Sequence, residues 1–167
     1  AYSNKLIREL SGVRKSFFSN DGSLLLLQYP SKVEVLETGS LKTIFTKKIK
    51  EDKNLEDVLI GNKNEYLHLL TASGWPVIRE LETISIKDAR QVFLQKITLE
   101  FPVLANNNSG SLLIISDFNG KEAIIYNALT GQQAYSIEGD GETIRKLGFS
   151  PDGKWLVTPS YRFEPTK

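Results

Sequence analysis

Cysteine and methionine are both missing from this sequence of 167 residues, and histidine occurs once, at His68. Without cysteine there is no disulfide, no zinc-thiolate site and no cysteine nucleophile. A disulfide-free domain works inside or outside the cell, so the compartment stays open, with a cytoplasmic location the preferred expectation. No apolar run approaches the ~20 residues of a membrane-spanning helix. Charge of one sign is also lacking: the net charge is +1, which by itself points to neither nucleic acid nor a membrane surface as partner. Nor does the 3.6-residue periodicity of amphipathic helices occur anywhere along the chain. The absence of methionine, with a first residue inside an apparent strand, leads us to expect a piece of a longer polypeptide.

What the sequence does contain is one hairpin, repeated. In Leu147-Gly148-Phe149-Ser150-Pro151-Asp152-Gly153-Lys154-Trp155-Leu156-Val157, Pro-Asp-Gly presets a turn between two extended stretches. The arrangement recurs at Phe17-Phe18-Ser19-Asn20-Asp21-Gly22-Ser23-Leu24, and more loosely around Gly61-Asn62-Lys63-Asn64 and Asn107-Asn108-Ser109-Gly110. The slot that must take the left-handed conformation holds Gly22, Asn64, Gly110 and Gly153, spaced 42, 46 and 43 positions apart. Glycine and asparagine tolerate that conformation at least cost, so the slot has a physical reason to be restricted. A period of ~40–45 residues filled with short strands is the period of four-stranded propeller blades.

The spacing predicts an all-β chain: a partial β-propeller of three complete four-stranded blades plus flanking strands, about 3.5–4 blades in all. Residues 1–12 would supply the outer strand of a preceding blade, 13–54 the first blade, 55–99 the second, 100–140 the third, and 141–167 the first strands of a fourth. In the second unit the extra length falls around Ser73-Gly74-Trp75-Pro76-Val77, read as a connection ahead of a third strand near Glu82–Ile86. Closed rings need ~4–8 blades, so the missing ones would come from the same polypeptide, from another chain, or from a second copy completing the ring as a homodimer.

The hairpins Phe149-Ser150-Pro151-Asp152-Gly153-Lys154-Trp155-Leu156 and Phe18-Ser19-Asn20-Asp21-Gly22-Ser23-Leu24-Leu25 resemble the first two strands of WD40-type blades, and Thr38-Gly39 and Thr130-Gly131 lie where such blades turn from third to fourth strand. The sequence departs from that family in lacking every Gly-His and Trp-Asp dipeptide; Leu36-Glu37 and Asn127-Ala128 stand where the latter would be. The hairpin is also similar to those of TolB-like repeats and of the gating propellers of prolyl-oligopeptidase-like enzymes. The resemblance implies a rigid binding module, with connections between second and third strands on a rim that carries the binding surface.

Candidate chemistry is sparse. His68 is the one side chain suited to titrate near neutral pH, so a Ser-His-Asp triad or a histidine-ligated metal would have to use it. It lies between Leu67 and Leu69 inside a strand, which favours a packed residue over a base. Acid pairs such as Glu51-Asp52 and Glu56-Asp57 have nothing to face them across a cleft. The loops Asn106–Gly110 and Glu138–Glu142 are oxygen-rich but lack the spacing of an EF-hand. Alternation along a strand splits the lysines of Lys42–Lys53 between two faces, against a phosphate-binding stripe. No metal, cofactor or catalytic residue is therefore assigned.

The candidate binding residues are Trp75, Pro76 and Arg79 on the long connection of the second unit, with Tyr29 and Phe118 at comparable places in the first and third. Tryptophan, tyrosine and arginine are the usual anchors of protein interfaces. The competing account of Trp75 is that it folds back to cover the blade edge. The expected function is non-catalytic protein–protein interaction or scaffolding, the partner being one or more proteins or the remaining blades. The alternatives are an accessory propeller of a hydrolase whose active residues lie outside this chain, and a half-propeller that pairs with itself.

Overall fold

A computed structural model describes residues 9–61, 63–100, 102–107, 109–117, 122–138, 148–150 and 155–157, all of them strand, turn or loop. The chain divides into two compact units, residues 1–48 and 49–167. The first unit holds one sheet, in the order β1 (Lys15–Phe18), β2 (Leu24–Gln28), β3 (Lys32–Glu37), β4 (Thr43–Lys48). The second holds two more four-stranded sheets, β5 (Lys53–Gly61) to β8 (Gln91–Ile97) and β9 (Pro102–Asn106) to β12 (Gln133–Glu138), and the pair β13 (Gly148–Phe149) and β14 (Leu156–Val157). Each neighbour pair is antiparallel and consecutive in the chain. The segment before β1 proposed as an outer strand lies largely outside the described residues, as does Gly153.

The turn slot behaves as its residue types require. Gly22, Asn64 and Gly110 have φ of 73°, 66° and 65°. Three residues before each glycine stands a side chain that clamps the hairpin. Ser19 Oγ accepts from the Leu24 N–H at 2.9 Å, and Asn107 Oδ1 accepts from the Leu112 N–H at 3.1 Å. In the last hairpin Ser150 Oγ accepts from the Trp155 N–H at 3.0 Å. Asp21, as its place before the glycine implies, bonds the turn itself through the Ser23 N–H at 2.9 Å.

The expected turns between third and fourth strands hold a second left-handed slot, which the residue types do not mark. The left-handed residues there are Leu41 (φ 53°), Ala89 (φ 58°) and Gly131 (φ 70°). In the first unit the twist thus falls on Leu41 rather than on Gly39, because the turn is five residues long and closes by Leu41 N–H to Glu37 O (2.8 Å), as Gly131 N–H does to Asn127 O (3.0 Å). Each slot follows a bulge at the same phase, after Val35, Thr83 and Ile125. The extra residue of a bulge re-aims the strand into the turn.

The core lies between sheets. Leu70, Leu81 and Ile97 of the second sheet bury against Leu104, Leu113, Ile115 and Tyr126 of the third. On the opposite face of β10, Ile114 packs with Ala123 and Ile125, covered in part by Phe149 and Leu156 of the last pair. A strand buried on both faces needs apolar residues at consecutive positions, which is the reason for Leu112-Leu113-Ile114-Ile115 here and Leu24-Leu25-Leu26-Leu27 in β2. In the first sheet the buried set is Leu24, Leu26, Leu27, Val33, Val35, Leu36 and Phe45.

These turns give opposite expectations for two substitutions. Ala89 is exposed and strained by its positive φ, so Ala89→Gly should stabilise the chain by about 0.5–1 kcal/mol. A β-carbon on Gly131 would lie 2.9 Å from Phe93 Cδ2 and 3.0 Å from its Cγ, so Gly131→Ala should destabilise it, by roughly 2 kcal/mol with the strain included. Urea unfolding midpoints moving in opposite directions check both.

Candidate functional site

The second sheet departs from the other four-stranded sheets by being longer. Strands β6 (Tyr66–Ser73) and β7 (Ile78–Ser85) run eight residues each, and pair without interruption from Tyr66–Ser85 to Ser73–Ile78. The expected loop with a late third strand is therefore a projecting hairpin instead, with Gly74-Trp75-Pro76-Val77 as its tip. Gly74 has φ 73°, and the Trp75–Pro76 peptide is cis.

Charged residues disguised β7 in the sequence, and the structure gives the reason they fit a strand. Arg79 on β7 pairs with Glu56 on β5 at 2.8 Å, and Glu80 pairs with Lys53. Both pairs bridge the strands flanking β6, whose residues there are the small Thr71, Ala72 and Ser73. Short side chains on the middle strand leave room for long ones on either side to meet over it. The Arg79 guanidinium also donates to the Leu99 carbonyl at 3.4 Å. Arg79 is thus engaged within the second unit, stiffening the base of the hairpin.

The tip is the reverse. Trp75 is 93% exposed, so it does not fold back over the sheet edge. Pro76, Val77 and Ile78 are exposed beside it, making a small apolar cap on a sheet with two ion pairs at its root. Tyr29, in the first unit, is half-buried beneath Lys32, whose ammonium lies 4.6 Å from the ring centre. Phe118 lies outside the described residues. Of the five residues singled out in the sequence, Trp75 and Pro76 share one exposed place.

Behind the hairpin, the structure encloses His68 completely. In the phase of the repeat it takes the seat of Leu26 and Ile114, and Gly61 takes the seat of the clamping residues Ser19 and Asn107. The two exceptions explain each other: a β-carbon at Gly61 would lie 2.2 Å from His68 Nε2. The imidazole fills the space that a clamp side chain would need. Its Nδ1 shares a 2.8 Å hydrogen bond with Thr83 Oγ1, while Nε2 has no partner among the described residues. Nearby, Asn106 of β9 donates to the Ile60 carbonyl of β5 at 2.7 Å, joining the second and third sheets. Burial pushes the His68 pKa down to about 4. The ring is neutral at neutral pH and sealed from solvent, a packed residue as its place in a strand implies.

That depression ties stability to pH. The unfolded chain takes up a proton on His68 near pH 6.5 and the folded chain only near pH 4. Stability is therefore full above pH 6.5 and falls as pH drops through this window, by on the order of 3 kcal/mol at its lower end. The double variant His68→Leu, Thr83→Val, which supplies the aliphatic residue found in the other sheets, should flatten the slope. Unfolding midpoints measured from pH 7 to pH 4 decide it; an unchanged slope would refute the assignment.

No protein-family model matches the sequence. No curated protein matches it either. Likeness is found in the solved structures, where 594 chains match, a breadth that belongs to a common architecture rather than a shared activity. One is a chain of hydrazine synthase from Kuenenia stuttgartiensis, superposing with a TM-score of 0.65 at 16% sequence identity over 89% of this chain and 56% of that one. This chain thus spans little more than half the length of its structural neighbour, and the likeness is one of fold. With its in-phase antiparallel sheets, the protein is an all-β, partial β-propeller of three complete four-stranded blades plus flanking strands.

Proposed function

We propose that this chain is a non-catalytic, WD40-like propeller module that holds a protein partner through the tip of the β6–β7 hairpin. The observation that carries the reading is Trp75, 93% exposed on a hairpin whose base is fixed by the Arg79–Glu56 and Lys53–Glu80 pairs. A large aromatic held in water on a rigid support loses little conformational freedom on docking, and such residues dominate interface energetics. Val77 and Ile78 widen the apolar contact. The reading is further supported by His68: the sole histidine is enclosed and depressed in pKa, out of reach of any substrate.

Trp75→Ala removes the anchor at a position that touches no core residue. Recovery of the protein partner on the immobilised chain should fall by roughly 30-fold in affinity, with the circular dichroism spectrum and urea midpoint unchanged. Undiminished binding by Trp75→Ala, or a loss of folding, would contradict the role.

A further inference from the structure

The last hairpin, β13–β14, offers a second surface, unrelated to the tip of the β6–β7 hairpin. In the phase of the repeat Val157 takes the place of Leu26, His68 and Ile114, all three fully buried, yet Val157 is 60% exposed and Trp155 beside it 71%. Leu156 packs back onto the third sheet, and by strand alternation Trp155 and Val157 share the opposite face. What covers this face in a preceding unit is known. Against the cluster of Ile114, Ala123 and Ile125 pack Phe149 of β13 and Leu156 of β14, which are paired residues of the next hairpin.

The chain carries a second copy of that covering pair in its first hairpin. Phe18 and Leu25 are paired in the first hairpin as Phe149 and Leu156 are in the last. Phe18 immediately precedes the clamping Ser19, as Phe149 precedes Ser150. Where Phe149 is partly buried, Phe18 is 66% exposed. One chain thus presents both halves of a contact that it already makes once internally.

We infer that the Trp155–Val157 face receives the Phe18–Leu25 hairpin of a second copy of this chain, head to tail, repeating the packing of Phe149 and Leu156 on the cluster of Ile114. The contact joins two different patches, so it is heterologous and leads to a closed ring or an open chain according to the rotation between copies.

Phe18→Asp destroys one half of the contact and Val157→Asp the other. The unaltered chain should gain mass with concentration in sedimentation or light scattering, and each variant alone should remain a monomer. Mixed together, the two variants should form one-to-one pairs, because each keeps the half that the other has lost. An unaltered chain that stays monomeric at every concentration, its face covered by some other partner, would overturn the inference. So would a monomeric mixture of variants beside an associating parent. The absence of cysteine supplies a check if an aspartate unfolds the chain: Phe18→Cys mixed with Val157→Cys should give a disulfide-linked dimer of the two under oxidation, and no such product would refute the contact.

Discussion

Enclosing the second strand of each four-stranded sheet on both of its faces is the constraint from which the other features follow. A strand so placed cannot alternate apolar and polar residues, and β2, β6 and β10 accordingly carry four or more consecutive residues that avoid charge. Their backbone groups are satisfied by strands on either edge, while their side chains are buried, those of β10 between the second sheet and the last pair. Register then becomes unforgiving, since a slip of one residue would exchange the two faces. The hairpin clamps and the left-handed turn residues fix that register at the end of the strand where it is set.

The same constraint shows why the second sheet is built differently. Putting a histidine at an enclosed position leaves an imidazole to be accommodated, and the structure does so with Thr83 on one nitrogen and the bare backbone of Gly61 beside the other. The clamp is given up at that hairpin, where Lys63 and Asn64 both take positive φ. An extended pairing with β7 and two ion pairs across β6 hold the sheet in its place. The projecting hairpin that results ends in the exposed Trp75.

Most of this architecture was legible in the residues themselves. Glycine and asparagine at a fixed period declared the first turn slot, because few other residues accept its dihedral angles. The second slot was hidden: Leu41 and Ala89 carry no mark of a left-handed conformation, and Gly39 drew attention to the wrong position. The first half of β7, ahead of the strand expected near Glu82–Ile86, was hidden for a related reason. Arg79 and Glu80 look like solvated loop charge until β5 is seen two strands away, supplying Glu56 and Lys53. Pairing between strands is a property of the folded sheet, and no local pattern announces it. The enclosure of His68 could be read from its leucine neighbours, whereas the space for its ring depends on a glycine seven positions upstream.

Native-state amide hydrogen exchange, followed residue by residue, tests the organisation most directly. If the second strands are enclosed as described, the amides of Leu26, Leu67–Leu70 and Leu113–Ile115 should be the last to exchange, at rates approaching those set by global unfolding. Those of the last strands, β4, β8 and β12, with many exposed side chains, should exchange sooner through local opening. Equal protection of the last and second strands, or early exchange at Leu67–Leu70, would contradict the account.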